Sequence, residues 1–177
     1  MLAFEDAGDV EDLGPEGLGE LAARVVRVLG ERNLTVGTAE SCTGGLVSAA
    51  LTSVPGSSAV VRGGVVSYAI PVKHEVLGVS SKVLDEPSLG AVSGECASQM
   101  ATGARRVLGS DVAVSTTGIA GPTGAEPGKP VGTVWFGACA GNRVVTECHL
   151  LSGDRRTVRA KAVRIALGLV LEVTENS

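Results

Sequence analysis

Aromatic side chains are nearly absent from this 177-residue chain, which has two Phe, one Trp and one Tyr, or 2% of the sequence. Its core must therefore be aliphatic, and a hydrophobic content of 44% supplies enough Val, Ala, Leu and Ile for one sizeable core. Histidine is as scarce, with only His74 and His149. A Ser-His-Asp triad is poorly supported on that inventory. The four cysteines, Cys42, Cys96, Cys139 and Cys148, follow neither a CxxC nor a Cys/His metal spacing. Cys148 and His149 are adjacent, and neighbours in a strand face opposite ways. Reduced structural thiols, with no metal and no cofactor, are the expectation. No apolar run approaches the roughly 18 residues that a membrane span needs. The N-terminus carries Glu5, Asp6, Asp9, Glu11 and Asp12, the opposite of a secretory signal. The expected setting is cytoplasmic, with no membrane partner. A net charge of −4 gives no basic footprint for nucleic acid. Arg155, Arg156, Arg159, Lys161 and Arg164 read as a solvated helix face.

Glycine, by contrast, is abundant, at 25 residues, and much of it falls between apolar runs, as tight turns require. Residues 1–13 read as an acidic, disordered tail and 14–177 as a single domain. Pro15 opens a helix whose Leu18, Leu21, Ala22, Val25, Val28 and Leu29 recur at helical spacing. A strand at 34–38, a loop at 39–45 and a helix at 44–53 follow. Gly63-Gly64 precedes a strand at 65–69, and a short helix at 72–77 closes at Gly78. Ser93 caps a helix running to Leu108. A strand at 111–116, a Gly/Pro-rich loop at 118–130 and a hairpin turned at Gly141-Asn142 lead to a last helix capped by Asp154. Strands alternating with helices, then a hairpin, predict a three-layer α/β/α sandwich with a mixed sheet.

Three segments have the composition of a site, each beside a predicted strand end, where α/β sheets collect ligands. The first is Ala39-Glu40-Ser41-Cys42-Thr43-Gly44-Gly45, a polar cluster at a helix start that suits an anion or serves only as a cap and turn. Cys42 at such a position is also a possible nucleophile. The second is Gly56-Ser57-Ser58, followed by Tyr68 and Lys73. A serine needs a base, and Lys73 lies among Ile70, Pro71, Val72, Val76 and Leu77, an apolar run that disfavours its charged form. On the residues alone Ser58 reads better as a helix cap than as a nucleophile, and nothing in them joins it to Lys73. The third is Thr116-Thr117-Gly118-Ile119-Ala120-Gly121-Pro122, whose glycines let backbone approach a ligand, or which merely connects two elements.

In order and spacing these segments resemble the C-terminal domain of the competence-damage-inducible A family, also found as a stand-alone nicotinamide-nucleotide amidohydrolase. The matching stretches are TAESCTGGLVSAALTSVPGSSAVVRGGVVSYA, VKHEVLGV, TTGIAGP, KPVGTVWFG and SGDRRTVR, within residues 16–173. The resemblance implies hydrolysis of nicotinamide mononucleotide to nicotinic acid mononucleotide and ammonia by a metal-free Ser/Lys pair. It implies Ser58 as nucleophile, Lys73 as base and Tyr68 beside them. Thr117, Gly118 and Arg155, with Ser41, Thr43 and Gly44, would bind substrate, Arg155 or its neighbour Arg156 taking the phosphate. A homodimer or higher homo-oligomer is expected. The larger family members carry a further N-terminal domain that this chain is expected to lack. Two departures stand out. Ile70-Pro71 replaces a polar step before the lysine, and Gly94 replaces the proline of a Val-Ser-Pro-Glu helix start. The first keeps open an alternative, a nucleotide-binding module with weak or no deamidase activity.

Overall fold

In the computed structural model, residues 17–175 are described. The predicted acidic tail, 1–13, lies outside them. Among the described residues six α-helices and five strands follow one another as α1 (Leu18–Glu31), β1 (Val36–Glu40), α2 (Leu46–Thr52), β2 (Val61–Val66), α3 (Ile70–Glu75), α4 (Ser81–Leu84), α5 (Gly94–Leu108), β3 (Val112–Gly118), β4 (Thr133–Ala140), β5 (Arg143–Leu150) and α6 (Arg155–Glu175). The strands form one sheet in the order β2-β1-β3-β4-β5. β1 pairs parallel with β2 on one side and β3 on the other, while β4 and β5 run antiparallel. The mixed α/β architecture expected from the sequence is the one observed.

Period-2 alternation divides the core in two. On one face α1, α2 and α6 pack together over Val36, Val112, Val114, Val134 and Phe136. On the other, α5 covers Ala39, Ala113 and Cys139, joined by Leu77, Val79 and Val83. β1 is buried along its whole length, as a strand covered on both faces must be. Because the chain leaves β1 towards one edge and reaches β3 on the other side, the carboxyl ends of β1 and β3 flank a topological switch point. The loops 41–45, 67–69 and 119–132 all start there.

Several elements fall where the sequence places them. The Ser93 hydroxyl accepts from Cys96 N–H at 3.2 Å, and Asp154 Oδ1 accepts from Thr157 N–H at 2.8 Å. β2 does not fall where expected. It begins at Val61 and runs through Gly63-Gly64 rather than after them. A Cβ on Gly64 would collide with Thr38 Oγ1 and Ser48 Oγ, so glycine there admits a polar network from β1 and α2 and is no strand breaker. The basic face of α6 also differs from expectation, since Lys161 and Arg164 are buried at 6% and 8% exposure. Lys161 Nζ donates to Ser152 Oγ at 2.9 Å.

Candidate functional site

The site begins with the carboxylate of Glu40, at the last residue of β1 and 1% exposed. The next helix starts only a few residues later, and its N-terminal amides need acceptors. Glu40 supplies them. Its Oε2 accepts from Gly45 N at 2.9 Å, Val47 N at 3.0 Å and Thr43 Oγ1 at 2.7 Å. Its Oε1 accepts from Ser48 N at 2.8 Å and Ser48 Oγ at 2.9 Å. The negative charge expected at the start of α2 therefore comes from the chain itself. This corrects the reading of the 39–45 loop as an anion cradle. Thr43, with 0% exposure, divides its hydroxyl between Glu40 and Thr116 Oγ1. Gly44, at φ +62°, donates its N–H to Ser41 O at 3.1 Å. Both shape the turn.

The same turn presents Ser41. Lys73, on α3, is 1% exposed, and its Nζ lies 2.9 Å from Ser41 Oγ and 2.6 Å from the Ser67 carbonyl at the end of β2. The sheet explains this meeting. Parallel pairing sets Glu40 opposite Val66, so the residues just beyond each strand emerge side by side. Burial pulls the Lys73 ammonium below its ordinary value of 10.5. The neighbouring thiols of Cys42 and Cys96 would oppose that only as thiolates, and burial pushes each up to about 11. The hydrogen bonds made by Nζ run to uncharged oxygens, the Ser41 hydroxyl and the Ser67 carbonyl. Burial pushes the Cys42 thiol up to about 11 and leaves it 5% exposed, which disfavours it as a nucleophile.

Ser58 is not part of this arrangement. It sits exposed in a 3-10 turn, Ser57–Ala59, just before β2. Lys73 is anchored just after β2, and six extended residues separate the two ends by about 20 Å. The pairing of Ser58 with Lys73 is thus corrected to Ser41 with Lys73. Pro71 does not disturb it. It stands in the first turn of α3, where no helical N–H is required, and Lys73 N–H still reaches Ala69 O at 3.3 Å. Gly94 has a local reason as well, since a Cβ there would press into the Trp135 ring.

Tyr68, 62% exposed, stands at the rim and accepts from Arg155 Nη2 at 3.1 Å. Arg155 Nη1 donates to Gly121 O at 2.8 Å. Arg159, one turn further along α6, donates from Nε to Cys42 O at 3.1 Å and from Nη2 to Thr43 O at 2.8 Å. Both arginines, with Arg156, Ala120, Pro122 and Gly153, line a cleft of about 640 Å³. The β3 loop gives this cleft Ala120, Gly121 and Pro122. The Thr117 hydroxyl, 1% exposed, is committed to Ala91 O at 2.6 Å, and Gly118 is glycine because a Cβ would strike the β4 backbone at Thr133 and Val134. Thr117 and Gly118 therefore shape the loop from behind. Glu40, Ser67 and Arg159 were not singled out from the sequence as site residues. A carboxylate placed between a strand and a helix start was the one available signal for Glu40. Nothing local marks Arg159, which acts across 117 residues of chain.

Among the described residues no three His, Cys, Asp or Glu side chains gather as a metal would require, and no helix is long and apolar enough to cross a membrane.

A family profile described as CinA C-terminal domain matches residues 18–174. A nicotinamide-nucleotide amidohydrolase, PncC, of Enterobacter agglomerans is 46% identical over 155 residues, which is 87% of this chain and 93% of that protein. A CinA-like protein of Fervidobacterium nodosum is 42% identical over 146 residues, 82% of this chain but only 35% of its own length. The chain thus spans about a third of that longer relative. Among solved structures, a CinA superfamily protein of Klebsiella pneumoniae superposes with a TM-score of 0.86 at 38% identity, covering 92% of this chain and all of that one.

Proposed function

The chain belongs to the CinA C-terminal domain family, and on that premise we propose that it is an amidohydrolase that converts nicotinamide mononucleotide to nicotinic acid mononucleotide and ammonia. The observation that carries the proposal is the buried contact of Lys73 Nζ with Ser41 Oγ at 2.9 Å. A serine hydroxyl needs a base, and a desolvated amine is one. The Ser67 carbonyl holds one Lys73 N–H at 2.6 Å, which keeps the amine within reach of the Ser41 hydroxyl.

Ser41 Oγ attacks the carboxamide carbon while neutral Lys73 takes its proton. The resulting ammonium returns that proton to the departing nitrogen, so ammonia leaves and an ester remains on Ser41. Water, deprotonated by the same lysine, attacks the ester carbon; the bond to Ser41 Oγ breaks, the lysine returns the proton to that oxygen, and the acid leaves. The cleft lined by Arg155, Arg156 and Arg159 has the size of a nucleotide site, and Arg159 joins it to the turn that carries Ser41. Asp154 already caps α6, so the phosphate is recognised by guanidinium groups rather than by helix amides. Arg155 and Arg156 face the cleft for that purpose, and Arg155 ties Tyr68 to its wall. The exposed apolar side chains Val66, Tyr68 and Ile70 run from β2 into α3 beside the site, which supports a homo-oligomer closing over this rim.

The test is ammonia release from nicotinamide mononucleotide. Ser41→Ala is expected to abolish it, by at least about 10³-fold, with an unchanged thermal transition. Ser58→Ala is expected to retain wild-type turnover. Full activity in Ser41→Ala would overturn the assignment, and tight nucleotide binding without ammonia in the wild type would favour a binding module instead.

A further inference from the structure

Parallel pairing does not stop at the last residues of β1 and β2. Ser67 N–H donates to Glu40 O at 2.8 Å and Ser41 N–H to Thr116 O at 2.9 Å, so the ladder runs one residue further. Side chains two apart along a strand share a face. Ala39 belongs to the core under α5, and Val65, its partner across the ladder, packs against that core. Ser41 and Ser67, two residues on, therefore return to the same face, where Lys73 approaches from α3.

The hydroxyls on that face are not used alike. In β3, Ser115 Oγ donates to Ala97 O and Thr117 Oγ1 to Ala91 O, each at 2.6 Å. Ser41 Oγ meets Lys73 Nζ. Ser67 is 0% exposed, yet its Oγ has no hydrogen-bond partner among the described residues. A buried hydroxyl without a partner costs stability, so alanine would serve folding better at this position. The Ser67 carbonyl lies 2.6 Å from Nζ, which brings the unspent hydroxyl of the same residue beside the amine. Lys73 has a matching shortfall. An ammonium carries three N–H groups, and among the described residues Nζ is hydrogen-bonded to two oxygens, Ser41 Oγ and Ser67 O.

We propose that Ser67 is a positioning residue for the reaction, its hydroxyl accepting the third N–H of Lys73 while the amine carries the proton taken from Ser41. The inference rests on the amidohydrolase reading above. As the bond from Ser41 Oγ to the carboxamide carbon forms, the Ser41 O–H bond breaks. Its proton passes to Nζ, and the carbonyl π pair moves onto the substrate oxygen. The ammonium then stands in a position only 1% exposed. One N–H stays on the Ser67 carbonyl, one faces the departing nitrogen, and Ser67 Oγ, turning about its Cα–Cβ bond, takes the third. When the C–N bond breaks, the proton leaves with ammonia and the hydroxyl is released again.

The experiment follows ammonia release from nicotinamide mononucleotide against pH in wild type, Ser67→Ala and Ser67→Thr, with thermal unfolding of each. The ionisable groups facing Lys73 are the Cys42 thiol, from the turn after β1, and the Cys96 thiol, from α5. Lys129, from the loop before β4, faces Cys96, and His74, next on α3, turns its Nδ1 to Val79 O at 2.8 Å. All four are the same in the three proteins. Ser67→Ala is expected to lower kcat by about tenfold, as for a lost hydrogen bond to a charged group, and to leave KM within about twofold. The acid limb of kcat moves to lower pH by about one unit, because the ammonium has lost an acceptor. The thermal transition is unchanged or higher, since no partner is lost. Ser67→Thr keeps the hydroxyl and restores both kcat and the limb. Wild-type kcat and limb in Ser67→Ala overturn the proposal. So does a fall in kcat with the limb unmoved or shifted to higher pH, as water entering a loosened site would produce. A Ser67→Ala chain that does not fold shows the hydroxyl spent on structure, and Ser67→Thr no better than Ser67→Ala denies it a part; each also overturns it. All these outcomes leave the amidohydrolase reading in place. A wild type that releases no ammonia removes that reading and this one with it.

Discussion

Lys73 bears the largest tension between stability and chemistry at the level of single residues. Its amine is 1% exposed, with a lowered pKa caused by desolvation. Between that lowered value and 10.5, the unfolded chain binds more protons at this position than the native protein. Stability therefore rises with pH across that window as the penalty of burying the amine fades. Below the lowered value the native lysine is also protonated and the penalty is constant at its greatest. Lys73→Met removes the titration, so its stability relative to wild type is expected to be most favourable below the lowered value and to decline from there towards pH 10. Urea denaturation of both proteins at pH 7 and pH 9.5 measures this. A difference independent of pH would contradict a depressed amine. Ammonia release should vanish in the variant at every pH. The cysteines at the site behave oppositely. With Cys42 and Cys96 pushed up to about 11, iodoacetamide is expected to leave native activity intact.

At the level of elements, the join between β1 and α2 is the organising unit. A strand hands over to a helix whose first amides, and the hydroxyls of Thr43 and Ser48, converge on one carboxylate. Gly64 in the adjacent strand leaves room for this convergence. Glu40→Gln preserves shape but replaces one acceptor oxygen with an N–H₂ that faces donors. The expected loss of folding stability is about 2–4 kcal/mol, from several buried amides left unpaired, with a matching fall in the thermal transition by calorimetry. A change within about 0.5 kcal/mol would show that Glu40 does not organise the turn. The boundaries of α5 and α6 were legible because Ser93 and Asp154 cap them locally. The start of β2 was not, because Gly63 and Gly64 punctuate a sequence without ending this strand. Their role lies in contacts with Thr38, Ser48 and Leu108, which a one-dimensional pattern does not contain.

Across the whole molecule, the sheet order brings the ends of β1, β2 and β3 together and folds the start of α6 over them. Arg155 therefore bridges the β3 loop and Tyr68, two segments more than fifty residues apart in sequence. Under the proposed function, Arg155→Ala is expected to raise KM for nicotinamide mononucleotide by about 10- to 100-fold, as for a lost hydrogen bond to a charged group, and to leave kcat and turnover of nicotinamide riboside little changed. Steady-state kinetics on the two substrates checks it. An equal effect on both would point to the Tyr68 contact rather than to the phosphate.

The sequence by itself determined the aliphatic α/β fold, most helix ends and the identity of Lys73 as a desolvated amine, because periodicity, capping and the surrounding apolar run are local properties. It also drew attention to the loop carrying Ser41, though in another role. Only the tertiary structure decided which serine Lys73 meets. Parallel pairing of β1 with β2 sets Ser41 and Ser67 side by side at one end of the sheet and leaves Ser58 at the other. That distinction depends on strand register and direction, which no spacing along the chain encodes.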